Sequence, residues 1–146
     1  MCFGVLLFAG CSGESNSKVL ESEALKEVLE EKLDKALFES ISAKKFKSFT
    51  DKITKRDKKN VILDVRTLQE FNDGHIKNAK MLDFYKSDFA KKLSKLDKTK
   101  RYFIYCHSGN RSGQTLQLMK KMKFQQVYNL KYGMNDWHRN NFSLIK

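Results

Sequence analysis

Three short apolar runs, each followed by a segment of helical periodicity, constrain this chain most. Val61-Ile62-Leu63-Asp64-Val65 is nearly unbroken in its hydrophobicity, Arg101 to Tyr105 reads Arg-Tyr-Phe-Ile-Tyr, and Gln126 to Leu130 repeats the pattern. Continuous runs of this length, without polar alternation, belong to strands buried on both faces, as in a parallel sheet covered by helices. The intervening segments supply those helices: Lys44 to Lys55 with Phe46, Phe49 and Ile53; Thr67 to Asn72, stopped by Gly74; Lys86 to Leu96; Ser112 to Lys123; and Gly133 to Asn140 around Trp137. Ala79 to Phe84 is expected as a further strand. The expected architecture is therefore an α/β layer structure with helices on both faces of a mostly parallel five-stranded sheet. No proline or internal repeat divides residues 41–146, which are expected to form one domain.

In such sheets ligands sit at the carboxyl ends of strands. Cys106 lies at one of those ends, between the 101–105 run and the helix expected from Ser112, on the polar loop His107-Ser108-Gly109-Asn110-Arg111. A strand-to-helix loop gathers unpaired backbone N–H groups at the positive end of a helix dipole, which makes a cradle for an anion such as a thiolate nucleophile. Flanking Gly, Ser, Asn and Arg argue against an inert cysteine packed as a small hydrophobe.

Charge excludes less than it first suggests. Lys and Arg number 29 against 17 acidic residues, for a formal +12, but only Arg56, Arg66, Arg101, Arg111 and Arg139 are arginines. A lysine excess dispersed over helices is a solvated face, and no aromatic–arginine stacking pattern or nucleic-acid module signature is present, so nucleic acid is not expected as a partner. One cysteine and three separated histidines in residues 41–146 have no metal-ligand spacing, and neither metal nor cofactor is expected.

The remaining cysteines, Cys2 and Cys11, flank an apolar run, Phe3 to Ala9, that gives way after Cys11 to Ser12-Gly13-Glu14-Ser15. The run is too short for the ~20 residues a membrane-spanning helix needs. Leu7-Phe8-Ala9-Gly10-Cys11 resembles a bacterial lipoprotein signal. That resemblance implies removal of residues 1–10, a lipid anchor on Cys11, and placement in the cell envelope. Cys106 would then be a solitary thiol in an oxidising compartment, which argues that its sulfur has a task. Residues 11–40 are expected as a tether and an amphipathic helix, with Leu25, Leu29, Leu33 and Leu37 on one side.

Three segments together match a known family. Asp64-Val65-Arg66-Thr67-Leu68-Gln69-Glu70-Phe71-Asn72-Asp73-Gly74-His75-Ile76, Cys106-His107-Ser108-Gly109-Asn110-Arg111-Ser112 and Tyr132-Gly133-Met134-Asn135-Asp136-Trp137 resemble, in order, the signatures of a rhodanese domain. The resemblance covers residues 41–146. It implies a sulfurtransferase: Cys106 attacks the sulfane sulfur of a donor such as thiosulfate, and the Cys106 persulfide passes that sulfur to a thiol or cyanide acceptor. His107, Ser108, Gly109, Asn110, Arg111 and Ser112 would bind substrate and persulfide, with Arg111 serving the donor's oxygens, the bracing of the loop, or both. A carrier that holds a persulfide with little thiosulfate turnover is the alternative. Asp64, Arg66 and Glu70 are expected to hold the framework, and Trp137 to anchor the core. Phosphatases that share the fold separate cysteine and arginine by five residues. Here four intervene between Cys106 and Arg111, a tighter ring that suits sulfur better than a phosphoryl group.

Overall fold

The apolar runs do become strands. In the computed structural model, which describes residues 37–146, β1 (Leu37–Ile41), β2 (Asn60–Asp64), β3 (Lys80–Met81), β4 (Arg101–Tyr105) and β5 (Gln126–Leu130) alternate with α1 (Ala43–Thr50), α2 (Leu68–Asp73), α3 (Phe89–Ser94), α4 (Asn110–Lys121) and α5 (Gly133–Arg139). The sheet has five strands in the order β1-β5-β4-β2-β3, and every pairing is parallel. β4 is the central strand, with five register pairs to β2 and four to β5. Its last four residues are buried.

Strand alternation divides the core into two layers. Ile62, Phe103, Tyr105, Tyr128 and Leu130 face Phe46 of α1 and Met134 and Trp137 of α5. Phe46 makes edge-on contacts with Phe103, Tyr105 and Trp137 at 5.8, 6.4 and 6.3 Å between ring centres, the arrangement aromatic quadrupoles favour. Trp137 is the core anchor expected of it. On the opposite face Leu63, Val65, Tyr102, Ile104, Cys106 and Val127 meet Phe89 and Leu93 of α3 and Leu116 and Met119 of α4. Cys106 continues the alternation of Tyr102 and Ile104. Its side chain is therefore aimed under the α4 layer and fully buried, not displayed on the loop as the polar flanks suggested.

Three sequence expectations need correction. The helix expected to run to residue 40 does not: Leu37–Ile41 is β1, paired in register with β5 from Gln126 to Leu130. The four-residue leucine spacing ends in a strand because β5 would otherwise present a row of unpaired N–H and C=O groups, and the Leu37 amide donates to Gln125 at 2.7 Å. The domain thus includes residues 37–40, ahead of the expected start at 41; the rest of the expected tether and helix, and Cys2 and Cys11, lie outside the described residues. The 79–84 strand shrinks to Lys80–Met81. The amides of Leu82 and Phe84 still donate to Asp64 and Val65, but the Asp83 side chain accepts from the Tyr85 amide and turns the chain away. Finally, α4 starts at Asn110, two residues before the expected Ser112, so Asn110 and Arg111 belong to its first turn.

Candidate active site

The site grows from the C-terminal end of β4. Gly109, at φ +91°, turns the chain from strand to helix in a conformation that L-residues avoid, and its missing Cβ leaves room for the Lys131 carbonyl. The turn aims donors inward. The Sγ of Cys106 receives the Gly109 amide at 3.2 Å, the Ser112 amide at 3.4 Å and the Ser112 hydroxyl at 3.4 Å. Of the six loop residues expected to form the cradle, Gly109 and Ser112 touch the sulfur. His107, Ser108 and Asn110 are exposed at the rim, where Asn110 accepts a hydrogen bond from Gln114 at 2.9 Å.

The outward side of the loop is fixed by the next motif. The N-terminal amides of α5 donate to it, Met134 to the Cys106 carbonyl at 2.9 Å and Asn135 to the His107 carbonyl at 3.1 Å. Gly133, at φ +59°, makes that approach possible: a Cβ there would overlap the Cys106 and His107 carbonyls. With its carbonyls tied outward, the loop keeps its N–H groups inward. The Gly133–Asn135 contribution was missed in the sequence, where the segment read only as a fold signature. A glycine at the start of a helix that packs on the cysteine loop is the signal that marks it.

Arg111 does not project freely into the site. Its Nη1 and Nη2 donate to Glu70 Oε2 and Oε1 at 2.8 and 2.7 Å, and its guanidinium lies 5.3 Å from the centre of the Tyr85 ring. Of the two roles left open for Arg111, bracing is the one its contacts display. Glu70 in turn closes a capping box on α2, accepting from the Thr67 amide at 3.0 Å while Thr67 Oγ1 accepts from the Glu70 amide at 3.3 Å. The Arg111 hydrogen bonds hold the Glu70 carboxyl down at about 2, from an ordinary 4.5, and Glu70 raises the guanidinium beyond its usual range. Both groups are charged at any physiological pH.

Asp64 and Arg66 form the framework expected of them. Arg66 donates from Nη2 to Asp64 Oδ2 and to the Gly74 carbonyl, both at 2.7 Å, in a pair almost wholly buried. Its guanidinium sits 5.4 Å from the Tyr105 ring centre, and the Tyr105 hydroxyl accepts from the Ile76 amide at 3.1 Å. Burial drives that phenol's pKa far above its ordinary value, so Tyr105 is a neutral strut immediately before Cys106. His75 also serves the turn: Nδ1 lies 3.0 Å from the Phe71 carbonyl and the ring stacks on Phe71.

The opening above the loop is lined by Glu70, Phe84, Tyr85, His107, Arg111 and Gln114, among others. Phe84 and Tyr85 give it an aromatic wall, and Tyr85 is 69% exposed. Neither residue was singled out in the sequence, since an aromatic pair beyond a short strand has no distinguishing pattern. Among the described residues there is no cluster of three or more His, Cys, Asp or Glu side chains suited to a metal ion, and no helix long and apolar enough to cross a membrane.

Comparison with known proteins agrees with this geometry. The family model for the rhodanese-like domain matches residues 47–140. A Bacillus subtilis protein, the uncharacterized YqhL, is 31% identical over 80 residues, covering 55% of this chain and 62% of that one. The thiosulfate sulfurtransferase GlpE of Shewanella oneidensis is 30% identical over 80 residues, covering 55% of this chain and 77% of its own. Among solved structures, a rhodanese-related protein from Thermoplasma volcanium superposes with a TM-score of 0.62 at 22% identity, over 74% of this chain and 98% of that one. The chain therefore spans less than two thirds of YqhL's length, and the archaeal likeness concerns the fold.

Proposed function

The chain belongs to the rhodanese-like domain family, and on that premise we propose that it is a sulfurtransferase working through a persulfide on Cys106. The observation that carries the reading is the trio of donors, the Gly109 and Ser112 amides and the Ser112 hydroxyl, converging on one buried sulfur. The Cys106 thiolate attacks the outer sulfur of a sulfane donor such as thiosulfate. A new S–S bond forms at Cys106, the donor's S–S bond breaks, and its electron pair leaves with sulfite. An acceptor thiolate or cyanide then attacks the terminal sulfur and returns Cys106 to the thiolate. Both forms of the enzyme present an anion to the same donors, which need little reorganisation between the half-reactions.

Treatment of the reduced, folded protein with thiosulfate, cysteine persulfide or inorganic polysulfide, followed by intact-mass measurement, tests the reading. A one-sulfur adduct that cyanide removes is expected, with none on the Cys106→Ser variant. Absence of the adduct with all three donors would refute it. Steady-state turnover compared with loading separates an enzyme from a persulfide carrier.

Placement in the cell envelope is proposed separately, on the apolar run before Cys11. Protein purified from its native cell should begin at a lipid-modified Cys11, and recovery of unmodified Met1 would overturn that proposal.

A further inference from the structure

From the contacts of Arg111 we infer that the sulfur donor is an organic persulfide, R–S–SH or its anion, in preference to thiosulfate; the inference rests on the sulfurtransferase reading above. Thiosulfate carries two negative charges, and its sulfonate oxygens would lie outside the amide cradle, in the opening over the loop. Arg111 is the one permanently charged cation among the residues lining that opening. Each terminal nitrogen gives one N–H to Glu70, at 2.8 and 2.7 Å, so the positive charge is paired with a carboxylate, and the guanidinium is flanked by Tyr85. A sulfonate arriving there meets an arginine whose charge is already balanced by the Glu70 carboxylate. Removing water from a second charge without supplying an unpaired cation is unfavourable.

An organic persulfide makes the opposite demand. When R is a hydrocarbon, at most one charge resides on it, at the sulfur that enters the cradle, and the remainder is carbon. The opening offers carbon a surface: Phe84 and Tyr85 form an edge-on pair 5.7 Å apart, and Tyr85 is the most exposed of the large hydrophobic side chains described. The step balances without an added oxidant or reductant. Cys106 thiolate bonds to the outer sulfur, the R–S–S bond breaks, and RS⁻ departs with the electron pair. The chain's overall positive charge favours the thiosulfate dianion during encounter, so a preference for the persulfide reports the contacts over the loop.

The test uses the full reduced chain and measures second-order rates of Cys106 persulfide formation from benzyl persulfide, whose R group is an uncharged hydrocarbon, and from thiosulfate. Each rate is divided by that of the same donor with free cysteine in buffer, which removes intrinsic reactivity. The normalised preference for benzyl persulfide is expected to reach about tenfold or more, the order of one charge-assisted contact weakened by the paired carboxylate. A normalised ratio of one or below overturns the inference while leaving the transferase reading intact. Failure of both donors and of polysulfide overturns the reading itself. In Glu70→Gln the guanidinium loses its counter-charge, so the ratio should fall through faster use of thiosulfate; an unchanged ratio in a folded variant also counts against the inference.

Discussion

Replacing Gly133 with alanine tests the claim that the last helix positions the Cys106 loop. At φ +59° an L-residue costs about 1–2 kcal/mol from its Cβ alone. The added carbon would also overlap the Cys106 and His107 carbonyls, and these belong to backbone held on the other side by the central strand, so neither can yield cheaply. Relief requires α5 to withdraw, which breaks the Met134 and Asn135 hydrogen bonds to those carbonyls at roughly 1 kcal/mol each. Restricting the unfolded chain offsets about 0.4–1 kcal/mol. The net expectation is a loss of about 2–4 kcal/mol, read by urea denaturation at constant m-value.

The same variant should lose function beyond its loss of stability. With its carbonyls released, the loop no longer holds the Gly109 and Ser112 amides on Sγ, and Cys106 persulfide formation should slow by about tenfold or more, the weight of one or two donors to an anion. Gly113→Ala is the control. Gly113 lies within α4, and an added Cβ would meet only Asn129 Nδ2 at an ordinary 3.8 Å. There alanine should stabilise by about 0.5–1 kcal/mol through helix propensity. If Gly133→Ala loses less than about 1 kcal/mol and loads sulfur at the wild-type rate, the positioning role of α5 is wrong.

Three further outcomes follow from the same contacts. Because the Glu70 carboxyl titrates near 2 when folded against 4.5 ordinarily, its ion pair contributes fully above about pH 5 and is lost as pH falls toward 2. Partial exposure screens the pair to about 1–2 kcal/mol, so wild type and Glu70→Gln should differ by that much at pH 7 and converge near pH 2 in urea titrations; a gap that persists in acid would refute the charge argument. Asp64→Ala strands Arg66 in the core without its partner and should cost about 3–5 kcal/mol, measured by thermal melting, where a loss under about 1 kcal/mol would show the pair to be dispensable. Ser112→Ala removes the hydroxyl on Sγ and keeps the amide, so sulfur loading should slow about fivefold, the weight of roughly 1 kcal/mol, with unchanged donor preference.

Which parts of the site were legible depends on whether their cause was local. The β4 run announced a buried central strand, and the Cys106–Ser112 sequence announced a loop feeding a helix, because periodicity and turn chemistry are written within a few residues. The burial of Cys106 was legible in principle from the alternation Tyr102, Ile104, Cys106, yet the polar loop composition argued the other way. Periodicity is the better guide at a strand's last residue, since the backbone direction fixes the side chain before the loop begins. The Leu37–Ile41 strand was hidden by a helical leucine spacing that runs into it, and only the open edge of β5, 85 or more residues downstream, explains why the chain extends there.

The chemistry of Arg111 was the least legible feature, and for a physical reason. A guanidinium beside a nucleophile has the same sequence whether it faces substrate or a carboxylate, and Glu70 lies 41 residues away in another strand-helix connection. What distinguishes the cases is the set of further bonds Glu70 Oε2 accepts from the Thr67 amide and, at 2.9 Å, from the Thr67 hydroxyl. A carboxylate already seated in a capping box is fixed in place, so the arginine that reaches it is fixed too, at little further entropic cost. The helix cap of α2 thereby sets the charge seen by a donor entering over Cys106. Loosening that cap by Thr67→Ala, which removes the hydroxyl bonds, should therefore raise thiosulfate use without altering the cradle, and equal slowing with thiosulfate and benzyl persulfide would show that the cap acts on stability alone.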